Sequence, residues 1–118
     1  MSDLAGRIVV LEFWATWCGP CQDQMATLQT FLKKYPGWSA KVVLFAASVD
    51  ENPEMARNHL IRKGWDKTHN VWMEPEAIKA FHVNALPTTY VISRKGSVVH
   101  VGHAEDIPAI VNRLIRED

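Results

Sequence analysis

The sequence predicts an α/β protein, a mixed central sheet between helices, built as a single domain over residues 1–118. Three observations carry that reading. Two apolar, β-branched runs are each followed by a helical pattern, as in parallel β-α-β units. Two later strand-like runs flank Arg94-Lys95-Gly96, a three-residue turn with glycine last, which reads as an antiparallel hairpin with a bulge. An amphipathic helix then closes the chain.

Taken in order, Arg7 to Phe13 (RIVVLEF) is nearly continuous in apolar residues and suits a central strand covered on both faces. Cys21, Met25, Leu28, Leu32 and Tyr35 recur at helical spacing, and Pro36-Gly37 stops that helix. Val42 to Val49 is a second buried strand. Asn52-Pro53 supplies an N-cap and a first-turn proline for a helix running to Lys63 and ending at Gly64. A short strand is expected from Asn70 to Met73 and a short helix from Pro75 through Phe81. The hairpin strands are Thr88 to Ser93 and Ser97 to Val101. Asp106 caps the last helix, whose apolar face is Ile107, Ile110, Val111, Leu114 and Ile115.

Composition excludes several classes. With 13 basic and 13 acidic residues the formal charge is zero, so no long-range field draws in nucleic acid or an anionic membrane. No apolar stretch approaches the roughly 18 residues of a membrane span. No signal peptide is expected, because the early apolar run is short and leads into Glu12. Two cysteines do not make a secreted disulfide framework, and the compartment stays open.

Those cysteines are the chemistry-bearing feature. Cys18-Gly19-Pro20-Cys21 lies between a buried strand and a helix, and its spacing puts both sulfurs on one helical face. The helix N-terminus presents unpaired N–H groups and a partial positive charge to Cys18, which favours thiolate. A dipole contribution of about 0.5–2 kcal/mol lowers a thiol pKa by about 0.4–1.5 units. From a free value near ~8.5, Cys18 approaches neutrality, where a thiol attacks disulfides well. Cys21, one turn inward, suits the second step. Two other readings stand beside the redox pair: half of a zinc site, and two structural cysteines. Zinc would need histidines, since there is no second C-x-x-C; His100-x-x-His103 has a suitable spacing. The five histidines, His59 among them, otherwise read as surface or half-buried residues.

Trp14 to Cys21 (WATWCGPC) resembles the active-site signature of the thioredoxin superfamily. Leu86-Pro87-Thr88 resembles that family's cis-proline loop, and the likeness runs from Ile8 to Ile115. The longer segment between Asp50 and Leu86, with VDENPE, ALPTTYVISRKGSVV and VGH, is similar to the TlpA/ResA-like thiol–disulfide oxidoreductases. Peroxiredoxins carry a comparable insertion, but set their reactive cysteine elsewhere than in a C-x-x-C.

The resemblance implies a thioredoxin fold with a helix–strand insertion before the cis-proline loop. It implies a reductase of protein disulfides in which Cys18 attacks and Cys21 resolves the mixed disulfide. Trp17, Gly19, Pro20, Leu86 and Pro87 would form the substrate surface. The Cys18–Cys21 disulfide would be the sole redox group, with no metal and no other cofactor. Partners would be protein disulfides and an upstream electron donor, acting on a monomer. An extracytoplasmic setting, periplasmic or membrane-tethered, is implied; a complete native chain would instead point to the cytoplasm.

Two positions depart from the pattern. Many TlpA/ResA-like members place an acid three residues after the second cysteine, where this chain has Gln24. Glu12 stands where plain thioredoxins hold a buried aspartate that handles the second cysteine's proton. The accompanying lysine falls at about Ala46, so a buried Glu12 would lack a cationic partner and have a raised pKa. The alternative places Glu12 toward solvent at a strand end. A thioredoxin-fold binding module with little use for its thiols is the alternative function.

Overall fold

The computed structural model describes residues 6–80, 83, 85–102 and 106–117. Its elements are β1 (Ile8–Trp14), α1 (Gly19–Lys34), α2 (Pro36–Lys41), β2 (Val42–Ser48) and α3 (Pro53–Lys63), followed by β3 (His69–Trp72), α4 (Pro75–Ala80), β4 (Thr88–Ile92), β5 (Val98–Gly102) and α5 (Ile107–Arg116). The strands form one sheet in the order β3-β2-β1-β4-β5. β2 runs parallel to β1 and β3, whereas β4 is antiparallel to β1 and β5. The site-bearing strand β1 is therefore central, paired on both sides.

Alternation along β1 sends Ile8, Val10, Glu12 and Trp14 to one face, and helices α1, α3 and α5 pack there. One cluster joins Ile8, Val10, Leu44 and Val91 to Leu28 and Leu32 of α1 and to Ile107, Val111 and Leu114 of α5. A second, at the carboxyl end of β1, gathers Trp14, Cys18, Cys21, Met25, Ala46, Ala56 and Leu60. On the opposite face Val9, Leu11, Phe45, Tyr90 and Ile92 are only half-buried. Complete cover of β1 on both faces, as the apolar run suggested, is not what the structure has. Cover on that face is partial: Phe13, toward the carboxyl end of β1, is fully buried, whereas Val9 and Leu11 are not.

The helix boundaries follow local chemistry. Asn52 Oδ1 accepts from the Met55 N–H at 3.1 Å, Pro53 occupies the first turn of α3, and Gly64 ends it at φ 68°. Asp106 Oδ1 accepts from the Ala109 N–H at 3.1 Å and starts α5. Pro36 is not a plain stop. Tyr35 closes α1 and opens α2, and Pro36 takes the first position of that second helix, where its missing N–H costs nothing. α2 carries Trp38 into the first cluster, its Nε1 donating to Asn112 Oδ1 at 2.8 Å. Tyr35 is consequently exposed, not part of the buried stripe. β3 and β5 sit one residue from their expected bounds, and Phe81, His82 and His103 lie outside the described residues.

Candidate functional site

Cys18 is the N-cap of α1, with extended backbone (φ −91°, ψ 112°) and its sulfur accepting from the Cys21 N–H at 3.2 Å. Pro20 lies in the first turn, where no intrahelical N–H is needed. The two cysteines form a disulfide with Cα atoms 5.3 Å apart. Cys18 keeps 7% of its surface exposed and Cys21 none, so an incoming group meets Cys18.

Around that sulfur the surface is apolar. Trp17 is 68% exposed beside it, and Gly19 faces open space. A groove of about 530 Å³ is lined by Trp17, Cys18, Pro20, Val49, Ile78, Val83, Ala85 and Leu86. Ile78 comes from α4, so the segment between β2 and β4 contributes to the wall. The Leu86–Pro87 peptide is cis, and Pro87 itself is buried. The structure thus brings Trp17, Pro20 and Leu86 together around Cys18. Trp14 is fully buried.

Glu12 is fully buried as well, which removes the solvent-facing alternative. In the sheet it lies between Ala46 on β2 and Thr89 on β4. Ala46 belongs to the cluster that holds Cys21, and Gln24 stands one turn beyond Cys21 on α1. Gln24 Nε2 lies 2.9 Å from each carboxylate oxygen and 2.8 Å from Thr89 Oγ1, and the Thr89 hydroxyl donates to Glu12 Oε1. Burial drives the Glu12 pKa from 4.5 up to about 7; the Thr89 and Gln24 hydrogen bonds to the charged form pull against it. A carboxyl group poised near neutrality can hold or release a proton at working pH.

Three polar residues that sequence reasoning did not select brace the loop between β1 and α1. Asp50, buried, accepts from the Thr16 N–H at 3.0 Å, the Thr16 hydroxyl at 2.7 Å and the Ser48 hydroxyl at 2.7 Å. Gln22 folds its amide back onto the loop: Nε2 donates to the carbonyls of Ala15, Thr16 and Cys18 at 3.2, 3.4 and 3.2 Å. Its Oε1 meets Nε2 of His59, which is buried where a surface or half-buried residue was expected. The only signal was a polar residue type close to the cysteines; the partners lie 34 and 37 residues away in sequence. Trp65 packs against Trp14 and His59, so the insertion is tied to the site by aromatic contacts. Among the described residues no group of three or more His, Cys, Asp or Glu is placed to hold a metal.

Residues 1–101 match the family model described as AhpC/TSA. The thioredoxin-like protein YneN of Bacillus subtilis is 31% identical over 105 residues, covering 86% of this chain and 61% of that protein. The thiol-disulfide oxidoreductase ResA of the same organism is 31% identical over 101 residues, covering 86% of this chain and 55% of ResA. The chain thus spans less than two thirds of the length of these curated relatives. Among solved structures, the thioredoxin domain of a Bacteroides vulgatus thiol-disulfide oxidoreductase superposes with a TM-score of 0.80 at 14% identity, covering 98% of this chain and 84% of that one. A Chlorobium tepidum protein assigned as a thiol:disulfide interchange protein DsbE gives 0.77 at 26% identity, covering 98% and 82%.

Proposed function

The chain belongs to the AhpC/TSA family and, within the thioredoxin superfamily, to the TlpA/ResA-like thiol–disulfide oxidoreductases, and from that premise we propose that it reduces protein disulfides through the Cys18–Cys21 pair. The observation that carries the reading is the asymmetry of the pair. Cys18 is at the helix N-terminus with an N–H aimed at its sulfur and open to an apolar groove, whereas Cys21 is sealed beneath it.

In the reduced protein, Cys18 thiolate attacks one sulfur of a substrate disulfide. An S–S bond forms between Cys18 and the substrate, and the other substrate sulfur leaves as thiolate and takes up a proton. Cys21 loses its proton, attacks the Cys18 sulfur, and restores the internal disulfide. The second substrate sulfur departs, so the substrate gains two electrons and the enzyme loses two. Glu12 is proposed as acceptor of the Cys21 proton, because its raised pKa matches that task and Gln24 fixes it on the side of α1 that carries Cys21.

Substrate recognition falls to Trp17, Gly19, Pro20, Leu86 and Pro87, with Ile78 and Val83 extending the apolar wall. An extended segment flanking the substrate cysteine would lie along Leu86. An upstream donor then returns two electrons to the pair. The reading places the protein outside the cytoplasm, as a monomer whose sole redox group is the disulfide.

Two assays test this. The chain should accelerate dithiothreitol-driven insulin reduction over dithiothreitol alone, and Cys21→Ser should accumulate substrate mixed disulfides at Cys18. Capture by Cys18→Ser but not by Cys21→Ser would reverse the roles. Neither acceleration nor capture would favour the binding-module alternative.

A further inference from the structure

We propose that Gln22 and His59 are positioning residues that fix the loop carrying Cys18 and so set how readily Cys18 ionises. The inference rests on Cys18 being the reactive thiol, and its readout needs no substrate. Nothing in the thiol chemistry itself calls on either side chain.

The chain of contacts begins at the backbone. The loop between β1 and α1 exposes carbonyl oxygens at Ala15, Thr16 and Cys18 just before the helix starts, and all three accept from the Gln22 amide. These are partial negative charges within three residues of the Cys18 sulfur. Tied to an amide N–H they are partly neutralised, which favours a thiolate beside them. They also hold the start of α1, where the Cys21 N–H donates to the Cys18 sulfur at 3.2 Å.

The amide must point the right way to do this, and His59 sets its direction. With Gln22 Nε2 on the carbonyls, Oε1 is the acceptor that faces His59 Nε2, so that ring nitrogen carries the proton. The other ring nitrogen, Nδ1, faces Arg62 NH2 at 3.3 Å, an obligate donor, and so it accepts. Both sides demand the same neutral tautomer. A flipped Gln22 amide would turn donors toward His59 and a carbonyl oxygen toward three others. The imidazole is fixed in turn between two indoles, with ring centroids 5.7 Å from Trp14 and 5.6 Å from Trp65.

The charged groups around the ring favour its neutral form. Burial first, then Arg62 and Lys63 on α3, hold the imidazole below its ordinary 6.5, against a weaker pull from Asp50, two residues past β2. Gln22, Trp14 and Trp65, which face it from α1, β1 and the segment after α3, carry no charge. Through this relay the α3 segment reports its packing to the nucleophile.

The test measures the Cys18 pKa from the pH dependence of iodoacetamide alkylation, in the full chain carrying Cys21→Ser so that one thiol reacts. Gln22→Ala and His59→Leu should each raise the pKa by about 0.3–1 unit, a two- to tenfold loss of thiolate at lower pH, as expected for one lost hydrogen bond. His59→Gln, which keeps a donor at the Nε2 position, should restore the parent value. In the unsubstituted protein, imidazole 15N shifts should report the Nε2–H tautomer. Unchanged pKa values in Gln22→Ala and His59→Leu would overturn the proposal, as would a His59→Gln variant no better than His59→Leu, or an Nδ1–H tautomer. Should His59→Leu not fold, Gln22→Ala and the tautomer decide. Failure of the protein to reduce any disulfide would count against the proposed function and leave this readout intact.

Discussion

Gln24 holds Glu12: one amide nitrogen on α1 lies 2.9 Å from both oxygens of a fully buried carboxyl group on β1. Among the described residues the polar partners of the carboxyl group are Gln24 and Thr89, both uncharged, and the flanking strand residues are Ala46 and Thr89. A neutral donor stabilises the charged form less than a cation would, so burial wins and the pKa rises.

That pKa makes stability depend on pH with a definite sign. The folded protein binds the Glu12 proton up to about 7, and the unfolded chain only up to about 4.5. Between these values the folded state holds more protons, so stability falls as pH rises, and the full cost is present above 7. Glu12→Gln removes the titration. The stability of the variant relative to the parent should grow by about 3 kcal/mol from pH 4.5 to 8, measured by urea unfolding with the disulfide intact. A pH-independent difference would contradict it.

Gln24→Glu sets two carboxyl groups against each other. They should titrate as a coupled pair, with the higher apparent pKa at least about 1 unit above that of Glu12 alone. Carboxyl carbon shifts followed by NMR across pH give both values.

Asp50→Ala would leave the Thr16 N–H, which Asp50 accepts at 3.0 Å, without its acceptor, and would strip two hydroxyls of theirs. Loss of charged hydrogen bonds at a buried site should cost about 2–4 kcal/mol in urea unfolding. The variant should also react more slowly at Cys18.

Trp17 presents the opposite case. It is 68% exposed, so Trp17→Ala should change stability by less than about 0.5 kcal/mol. KM for a peptide disulfide should rise roughly tenfold, as for an aromatic contact residue worth about 1–2 kcal/mol.

Much of this arrangement could be read from the residues in order. The β1 run, the Cys21–Leu32 stripe, Asn52-Pro53, Asp106 and the Arg94-Lys95-Gly96 turn each act within a few residues of themselves, and local chemistry fixes them. α2 was missed because Pro36-Gly37 carries the same signal for stopping a helix as for starting one; Trp38 docking into the core decides between them. Glu12 and Gln24 were both singled out, but their meeting needed the fold. It requires the register that sets Glu12 beside Thr89 and the packing that lays α1 over β1. Gln22, Asp50 and His59 offered nothing beyond their residue type, since a polar side chain has no periodicity and its partner is set by tertiary packing.

The central claim is that Cys18 and Cys21 form a reducing pair. Equilibrating the protein against glutathione buffers of known ratio, and quantifying the dithiol by alkylation and mass, gives its reduction potential. A value nearer the roughly −270 mV of thioredoxin than the roughly −120 mV of DsbA is predicted. A value near −120 mV would contradict it and make the protein a disulfide donor.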